Sequence, residues 1–128
     1  MAKLFLDANI IIDLVEQRSH VTSKDFKGHD LFISPLSVHI LMYITKKKIC
    51  YSKLAELIRL FSVIPFDKAI IHKALQGPTK DFEDNIQLHS AALADCNLFL
   101  THDKKLLRLS FFGKTQLVPS LDPSHQSN

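Results

Sequence analysis

Two aspartates stand where the polypeptide could gather acidic ligands around a metal ion. Asp7 directly follows the apolar stretch Lys3 to Leu6, and Asp103 comes shortly after the apolar stretch Leu98 to Leu100. If both stretches are strands of one parallel sheet, their carboxyl ends lie at the same edge, where such sheets bind ligands. We therefore expect the two carboxylates to meet at that edge.

Further acidic residues could join them. Asp81 has the position of a helix cap, which puts Glu83 and Asp84 in the first turn, where the helix dipole favours negative charge. Asp13 lies one or two turns into the first predicted helix, close enough to assist. Carboxylates that converge without basic partners repel one another, and a bound Mg²⁺ or Mn²⁺ removes that cost. A helix cap or a surface carboxylate explains each residue taken alone, but their joint placement predicts a divalent metal site.

The placement of these residues depends on an alternation of short strands and helices. Strands are predicted over Lys3 to Leu6, Leu31 to Ser34, Val63 to Ile64, Leu98 to Leu100 and Gln116 to Val118. Helices are predicted after Asp7, after Ser34-Pro35, over Ser52 to Phe61, from Asp67 through Leu75, from Asp81 to Asn97, and over Asp103 to Leu109. Because parallel strands need a long crossover and a helix supplies it, we expect an α/β fold with a parallel sheet covered on both faces.

The composition is that of an ordinary folded protein. A chain of 128 residues that is 46% hydrophobic and 23% charged fits one domain, which we expect over residues 1–119, followed by a flexible polar tail over 120–128. Its apolar runs are too short to span a bilayer and no signal peptide is visible, so we expect no membrane association and a cytoplasmic location. Cys50 and Cys96 lack metal-ligand spacing, and we interpret them as reduced thiols.

The charge pattern permits an anionic partner. Lys and Arg number 16 against 13 Asp and Glu, a formal net charge of +3. Lys46 to Lys48 form one basic run, and Lys104, Lys105 and Arg108 form a second directly after an acidic residue, an arrangement that suits phosphate contacts beside an acidic site. Solvated helix ends explain each cluster taken alone.

Four segments together resemble the successive motifs of PIN domains. They are Phe5 to Asp13 (FLDANIIID), Ile33 to Ser37 (ISPLS), Asp81 to Asp84 (DFED) and Leu100 to Lys105 (LTHDKK). Each motif alone is weak, but their order, spacing and strand-helix context cover nearly the whole chain. The resemblance implies a three-layer α/β/α sandwich with a central parallel sheet of four to five strands, in which the first and fourth strands are neighbours.

The same resemblance implies a metal-dependent ribonuclease that hydrolyses RNA phosphodiester bonds. Asp7, Asp84 and Asp103 match the family's acidic metal-site positions, and Asn9 and Thr101 match polar positions that support them. Mg²⁺ or Mn²⁺ is the implied cofactor. Many members of this length are toxins of the VapC type that an antitoxin protein holds inactive, so the implied partners are RNA and an antitoxin.

Other residues have subsidiary expected roles. Ser37 would orient a ligand or water, while Asp13 and Glu83 would support the site. The expected nucleic-acid contacts are Lys46, Lys47, Lys104, Lys105 and, when protonated, His102. A plain exposed loop histidine is an equally good interpretation of His102.

The second motif departs from the family pattern. Relatives have a glutamate, or in some cases an asparagine, three residues after the Ser or Thr at the helix start, but Ile40 follows Ser37 at that spacing. Isoleucine cannot bind a metal. Either His39 or a displaced carboxylate compensates, or three carboxylates and water hold the ion, or the domain binds RNA or a partner without cutting it.

The alternatives to a ribonuclease follow from these features. Ile40 supports a catalytically impaired PIN-fold module that binds RNA or protein. A structure-specific DNA nuclease would use the same metal chemistry, but so short a chain has no added arch or clamp for duplex ends. A phosphatase or a response-regulator-like acidic pocket would leave the segment Asp81 to Asp84 without a role.

The helix predicted after Pro35 is apolar on more than one side. Ile40, Leu41, Met42 and Tyr43 exceed what one core face requires. PIN-domain relatives often pair through helices of the first half. We therefore expect a homodimer.

Overall fold

A computed structural model describes residues 2–18 and 22–121. Within them the strands are β1 (Lys3–Leu6), β2 (Asp30–Ile33), β3 (Phe61–Val63), β4 (Leu98–Leu100), β5 (Phe111–Phe112) and β6 (Thr115–Val118). The helices are α1 (Ala8–Glu16), α2 (Pro35–Thr45), α3 (Ser52–Ile58), α4 (Lys68–Ala74), α5 (Phe82–Leu93) and α6 (Lys104–Leu107), and a 3₁₀ turn covers Ser23–Phe26.

The strands form one sheet in the order β3-β2-β1-β4-β6-β5. Every neighbouring pair is parallel except β5 and β6, which are antiparallel. Strand order reverses between β1 and β4, because the chain moves outward from β1 to β3 on one side and from β4 to β6 on the other. The predicted pairing of the first and fourth strands is confirmed, with Leu6 opposite Leu100. A ligand site is expected at this reversal point.

The central strands are buried on both faces. Leu4 and Leu6 belong to a core with residues of α1, α2 and α3. Phe5 points the other way, because side chains alternate along a strand, and stacks on Phe99 with 5.1 Å between ring centroids. The core on that face also contains Leu88 of α5 and residues of β6 and α6. The predicted three-layer sandwich is therefore confirmed.

Side-chain caps begin most of the helices where the sequence predicts them. The capping residues are Asp7 for α1, Ser34 for α2, Asp67 for α4, Asp81 for α5 and Asp103 for α6. In each case a side-chain oxygen accepts a hydrogen bond from a backbone N–H of the first turn, which would otherwise have no partner. Asp7, Ser34 and Asp103 also follow strands, so the caps fix the strand-to-helix turns at one edge of the sheet.

Several boundaries differ from the predicted ones. The third helix was predicted to extend to Phe61, but α3 ends at Ile58. The third strand was predicted at Val63 to Ile64, but β3 begins at Phe61. α5 ends at Leu93 instead of Asn97, and the Asn97 amide oxygen accepts a hydrogen bond from the Lys3 N–H at 2.8 Å. Strand β5, which the sequence analysis missed, forms a short hairpin with β6 and extends the sheet beyond its five parallel strands.

The structure describes the carboxyl-terminal segment as far as Leu121. Leu121 packs against the main core, and residues 122–128 of the predicted tail lie outside the described residues. The domain boundary at residue 119 therefore stays a prediction. Among residues 2–18 and 22–121, no helix has both the length and the apolar character that a bilayer span requires.

Candidate active site

Asp7 lies between the end of β1 and the start of α1 and is only 4% exposed. Its N–H donates to the Leu100 carbonyl at 2.9 Å, so the pairing of β1 with β4 continues up to this residue. Its Oδ1 accepts a hydrogen bond from the Ala8 N–H at 2.7 Å. Its Oδ2 accepts from the Thr101 hydroxyl at 2.6 Å and from the Asn9 amide at 3.1 Å. These contacts hold the carboxylate in one orientation.

Thr101 connects Asp7 to Asp103. The Thr101 Oγ1 that donates to Asp7 accepts a hydrogen bond from the Asp103 N–H at 3.0 Å. Asn9 spans the same gap, because its Oδ1 accepts from the His102 N–H at 3.3 Å. Asn9 and Thr101 therefore bridge the turns after β1 and β4 and lie beside Asp7.

One pocket of about 200 Å³ lies where these turns face α5. Its lining includes the carboxylate residues Asp7, Asp81, Glu83, Asp84 and Asp103. Asp84 lies in the first turn of α5, where its N–H donates a hydrogen bond of 2.9 Å to Oδ1 of the capping residue Asp81. Within the described residues, none of these carboxylates forms an ion pair with a Lys, Arg or His. The pocket is therefore acidic and has no basic partner of its own.

Two carboxyl groups of the pocket, those of Asp84 and Asp7, have raised pKa values. Burial, and after it the negative charges of Asp81, Asp7 and Asp103, together raise the pKa of Asp84 to about 7. Burial also raises the pKa of Asp7, while the hydrogen bond from Thr101 is the largest effect that opposes the rise. A cation in the pocket would favour the ionised forms of both.

The donor chemistry fits Mg²⁺ or Mn²⁺ bound partly through water. In the part of the chain that the structure describes, no three Asp, Glu, His or Cys side chains converge closely enough to hold one ion directly. Mg²⁺ usually keeps several water ligands and takes only one or two protein carboxylates. The pocket suits an ion held in that way, with the remaining carboxylates hydrogen-bonded to its water.

Helix α2, which begins in the second motif, contributes no acidic residue to the pocket. Ile40 lines the pocket, whereas His39 is exposed and stacks on Tyr43 with 6.5 Å between ring centroids. Compensation for Ile40 by His39 therefore has no geometric support. Ser37 is buried and donates its hydroxyl hydrogen to Gln87 Oε1 at 3.3 Å. Asp81, Glu83 and Asp84 at the amino end of α5 line the same pocket as Ile40.

The remaining predicted site residues divide between the pocket edge and the far end of α1. Asp13 lies beside the pocket edge, with its Oδ2 3.1 Å from Nδ1 of His102. The Lys47 ammonium group lies 4.0 Å from Glu16, at the carboxyl end of α1, and Lys46 caps the end of α2. Because α1 has 9 residues and rises about 1.5 Å for each, Glu16 lies roughly 13 Å along the helix from Asp7.

A second cleft of about 430 Å³ adjoins the acidic pocket and shares Asp81 and Asp84 with it. Lys80 and Lys105 both line this cleft. Lys105 is among the predicted nucleic-acid contacts and Lys80 is not. Lys80 follows the Gly77-Pro78 break, and no sequence pattern indicated that this loop would face α6.

Gln87 is the pocket residue that the sequence analysis missed although a signal was present. It follows Asp84 by three residues on α5, and this spacing puts both side chains on one helix face. It lines the same pocket and is 2% exposed. A polar residue at a position where the helix should be apolar was the available indication.

Comparisons with known proteins show the family of this chain. The family model for the PIN domain matches residues 4–112. The chain is 30% identical over 118 residues to Ribonuclease VapC1 of Aquifex aeolicus (strain VF5), and the alignment covers 80% of this chain and 82% of that protein. It also resembles a chain in the crystal structure of VapBC2 from Rickettsia felis bound to a DNA fragment from their promoter. That similarity has a TM-score of 0.65 at 16% identity, covers 91% of this chain and 97% of the other, and concerns the fold alone.

Proposed function

Because this chain belongs to the PIN domain family, we propose that it is a metal-dependent ribonuclease that hydrolyses RNA phosphodiester bonds. The observation that carries the proposal is the single pocket lined by Asp7, Asp84 and Asp103, which come from three separate elements. The ribonuclease relative in Aquifex aeolicus supports the choice of reaction.

The side chains of the pocket have distinct parts in this proposal. Asp7, Asp84 and Asp103 hold Mg²⁺ or Mn²⁺ directly or through water, and Glu83 adds negative charge at the rim. The bound ion would polarise a phosphoryl oxygen and lower the pKa of a water molecule. Asn9 and Thr101 keep the Asp7 carboxylate in a fixed orientation through hydrogen bonds of 3.1 and 2.6 Å. A fixed carboxylate matters because octahedral ions tolerate little displacement of their ligands.

The basic residues near the pocket suit an RNA backbone. Lys104, Lys105 and His102 flank Asp103, and the cleft lined by Lys80 and Lys105 continues outward from the acidic pocket. We propose that the RNA strand runs from the pocket into this cleft, where the ammonium groups neutralise phosphates. Lys46 and Lys47 would contact only a strand that extends to the far end of α1.

We further propose that the chain is the cytoplasmic toxin of a toxin–antitoxin pair and forms a homodimer. Tyr43, Ile44 and Ile49 are 75%, 52% and 83% exposed, an apolar surface that favours contact with protein. Ile44 also lines the acidic pocket, so a partner seated on α2 would reach the site. The VapBC2 complex supports an antitoxin partner by analogy, and a small neighbouring gene for a DNA-binding antitoxin would support it further.

The activity is tested by incubating the purified chain with mixed RNA and Mg²⁺ or Mn²⁺. We expect cleavage that EDTA abolishes and that Asp7→Asn lowers by at least about a hundredfold, since it removes a ligand charge at the centre of the network. A contaminating nuclease is the explanation if wild type, Asp7→Asn and the EDTA sample retain equal cleavage. That result would remove the support for the enzyme.

The second candidate is a catalytically impaired module that binds RNA or protein. Ile40 favours it, because the pocket lacks the usual acid on α2. This candidate predicts that RNA binds in a gel-shift assay while no metal restores cleavage. Single-stranded and duplex DNA in the same assays would identify a DNA-directed nuclease, the third candidate.

A further inference from the structure

Gln87 is a buried polar residue of the pocket to which the proposed mechanism gives no role. Its side chain lies on α5 beside Asp84 and contacts two other elements. Oε1 accepts a hydrogen bond from the Ala8 N–H of α1 at 3.1 Å and from the Ser37 hydroxyl of α2 at 3.3 Å. The three elements that surround the pocket are thus joined at one side-chain amide.

The orientation of this amide follows from its partners. A backbone N–H can only donate, so the Gln87 atom that faces Ala8 must be the oxygen. The same Ala8 N–H donates to Asp7 Oδ1 at 2.7 Å, so the Gln87 amide oxygen and the Asp7 carboxylate share one donor. The NH₂ group is the other end of the amide. Within residues 2–18 and 22–121, this NH₂ group has no protein acceptor in good hydrogen-bond geometry. A buried donor without a hydrogen bond is energetically costly. This almost wholly buried and incompletely paired NH₂ group therefore indicates that an acceptor lies in the pocket.

We propose that Gln87 is the positioning residue through which α2 acts on the metal site, by linking Ser37 to Asp7. The proposal rests on the metal-dependent function above and explains how α2 contributes although Ile40 supplies no ligand. Ser37 donates to the amide oxygen, and this oxygen contacts the same Ala8 N–H that binds Asp7 Oδ1. Groups that orient metal ligands in this way typically change metal affinity by about 10- to 100-fold when removed.

The test replaces Gln87 with methionine, which keeps a similar volume and removes both ends of the amide. We expect Gln87→Met to raise the Kd for Mn²⁺, measured by calorimetry on the isolated chain, by about tenfold or more. At saturating metal, kcat should fall while KM for RNA stays near the wild-type value, because Gln87 acts on Asp7 and not on the RNA. Ser37→Ala should also weaken Mn²⁺ binding, but by a smaller factor, since it removes one hydrogen bond to the Gln87 amide and leaves the amide in place.

Ser90→Ala is the matched control. Ser90 is also a buried polar residue of α5, but its hydroxyl donates only within the helix, to the Ile86 carbonyl at 2.7 Å. The control should bind Mn²⁺ with wild-type affinity. Near-wild-type circular dichroism is required of each variant so that a loss of folding is not counted as a loss of binding.

The outcomes separate this inference from the function on which it rests. Wild-type Mn²⁺ affinity in a folded Gln87→Met overturns the positioning role alone, provided that the wild type binds the metal and cuts RNA. If Gln87→Met does not fold, Ser37→Ala decides, and unchanged affinity there overturns the role. A wild-type chain that neither binds Mn²⁺ nor cuts RNA overturns both proposals.

Discussion

A single carboxyl group, that of Asp84, carries much of the electrostatic cost of the pocket. Its pKa in the folded chain is raised from 3.8 to about 7, chiefly because it is buried and secondly because Asp81 is near. The native state therefore binds this proton more tightly than the unfolded chain does. Stability from this group is fully present below about pH 4 and is lost as the pH rises through about 7.

We expect Asp84→Asn to raise the melting temperature in EDTA at pH 8, because asparagine removes a charge that the metal-free fold disfavours. The increase should shrink as the pH is lowered through about 7 toward 4, because the wild-type carboxyl then becomes protonated in the folded state. Thermal unfolding followed by circular dichroism measures it, and Asp30→Asn, at an exposed position where β2 begins, is the control. A lower melting temperature for Asp84→Asn at pH 8 would contradict the origin assigned to the raised pKa.

The sequence located three of the acidic pocket residues but not every polar residue of the pocket. Asp7 and Asp103 could be found because each follows a short apolar strand, and the family motif located Asp84. Gln87 was missed because its role depends on contacts with Ala8 and Ser37, which are remote in sequence. Helical spacing could have indicated its face but not its partners.

Among the elements, those with strong local signals were predicted best. β1 was predicted with its observed bounds, and α2 begins after Ser34 with Pro35 in its first turn. The hairpin of β5 and β6 was missed because a strand of 2 residues has no readable alternation. The end of α5 was misjudged because Asn97 pairs with Lys3, a contact that only the assembled sheet provides.

The cleft between the loop before α5 and helix α6 predicts that two elements contact RNA through Lys80 and Lys105. We expect Lys80→Ala and Lys105→Ala each to raise KM for RNA and to reduce the salt dependence of RNA binding by about one unit of slope, as loss of one phosphate contact does. Binding isotherms at several salt concentrations measure the slope.

Lys114→Ala is the matched control for these lysines. Lys114 is exposed and directly precedes β6, which runs parallel to β4, so it lies at the opposite edge of the sheet from Asp103. Its removal changes the net charge equally but should leave the slope unchanged. Equal effects of all three substitutions would show that overall charge, and not the cleft, governs binding.

At the scale of the whole molecule, the reversal of strand order between β1 and β4 explains why the site lies where it does. The chain leaves this point in both directions, so the turns that carry Asp7 and Asp103 are adjacent at one edge of the sheet. Burial of β1 on both faces keeps this edge rigid. The alternation of elements predicted the layers, but the sequence pattern alone did not show which strands pair, and the family resemblance supplied only the pairing of the first strand with the fourth.

The apolar surface of α2 and the following segment bears on assembly. Tyr43 and Ile49 are among its most exposed members, and a monomer would leave both in water. We expect light scattering after size exclusion at micromolar concentration to give twice the mass of one chain, and Tyr43→Arg to give the mass of one chain, because it buries an unpaired charge in a dimer contact. Leu75→Arg, at a 70% exposed position on the carboxyl side of α4, adds the same charge elsewhere and should leave the mass unchanged. A wild-type monomer would refute the dimer and leave this surface to the antitoxin.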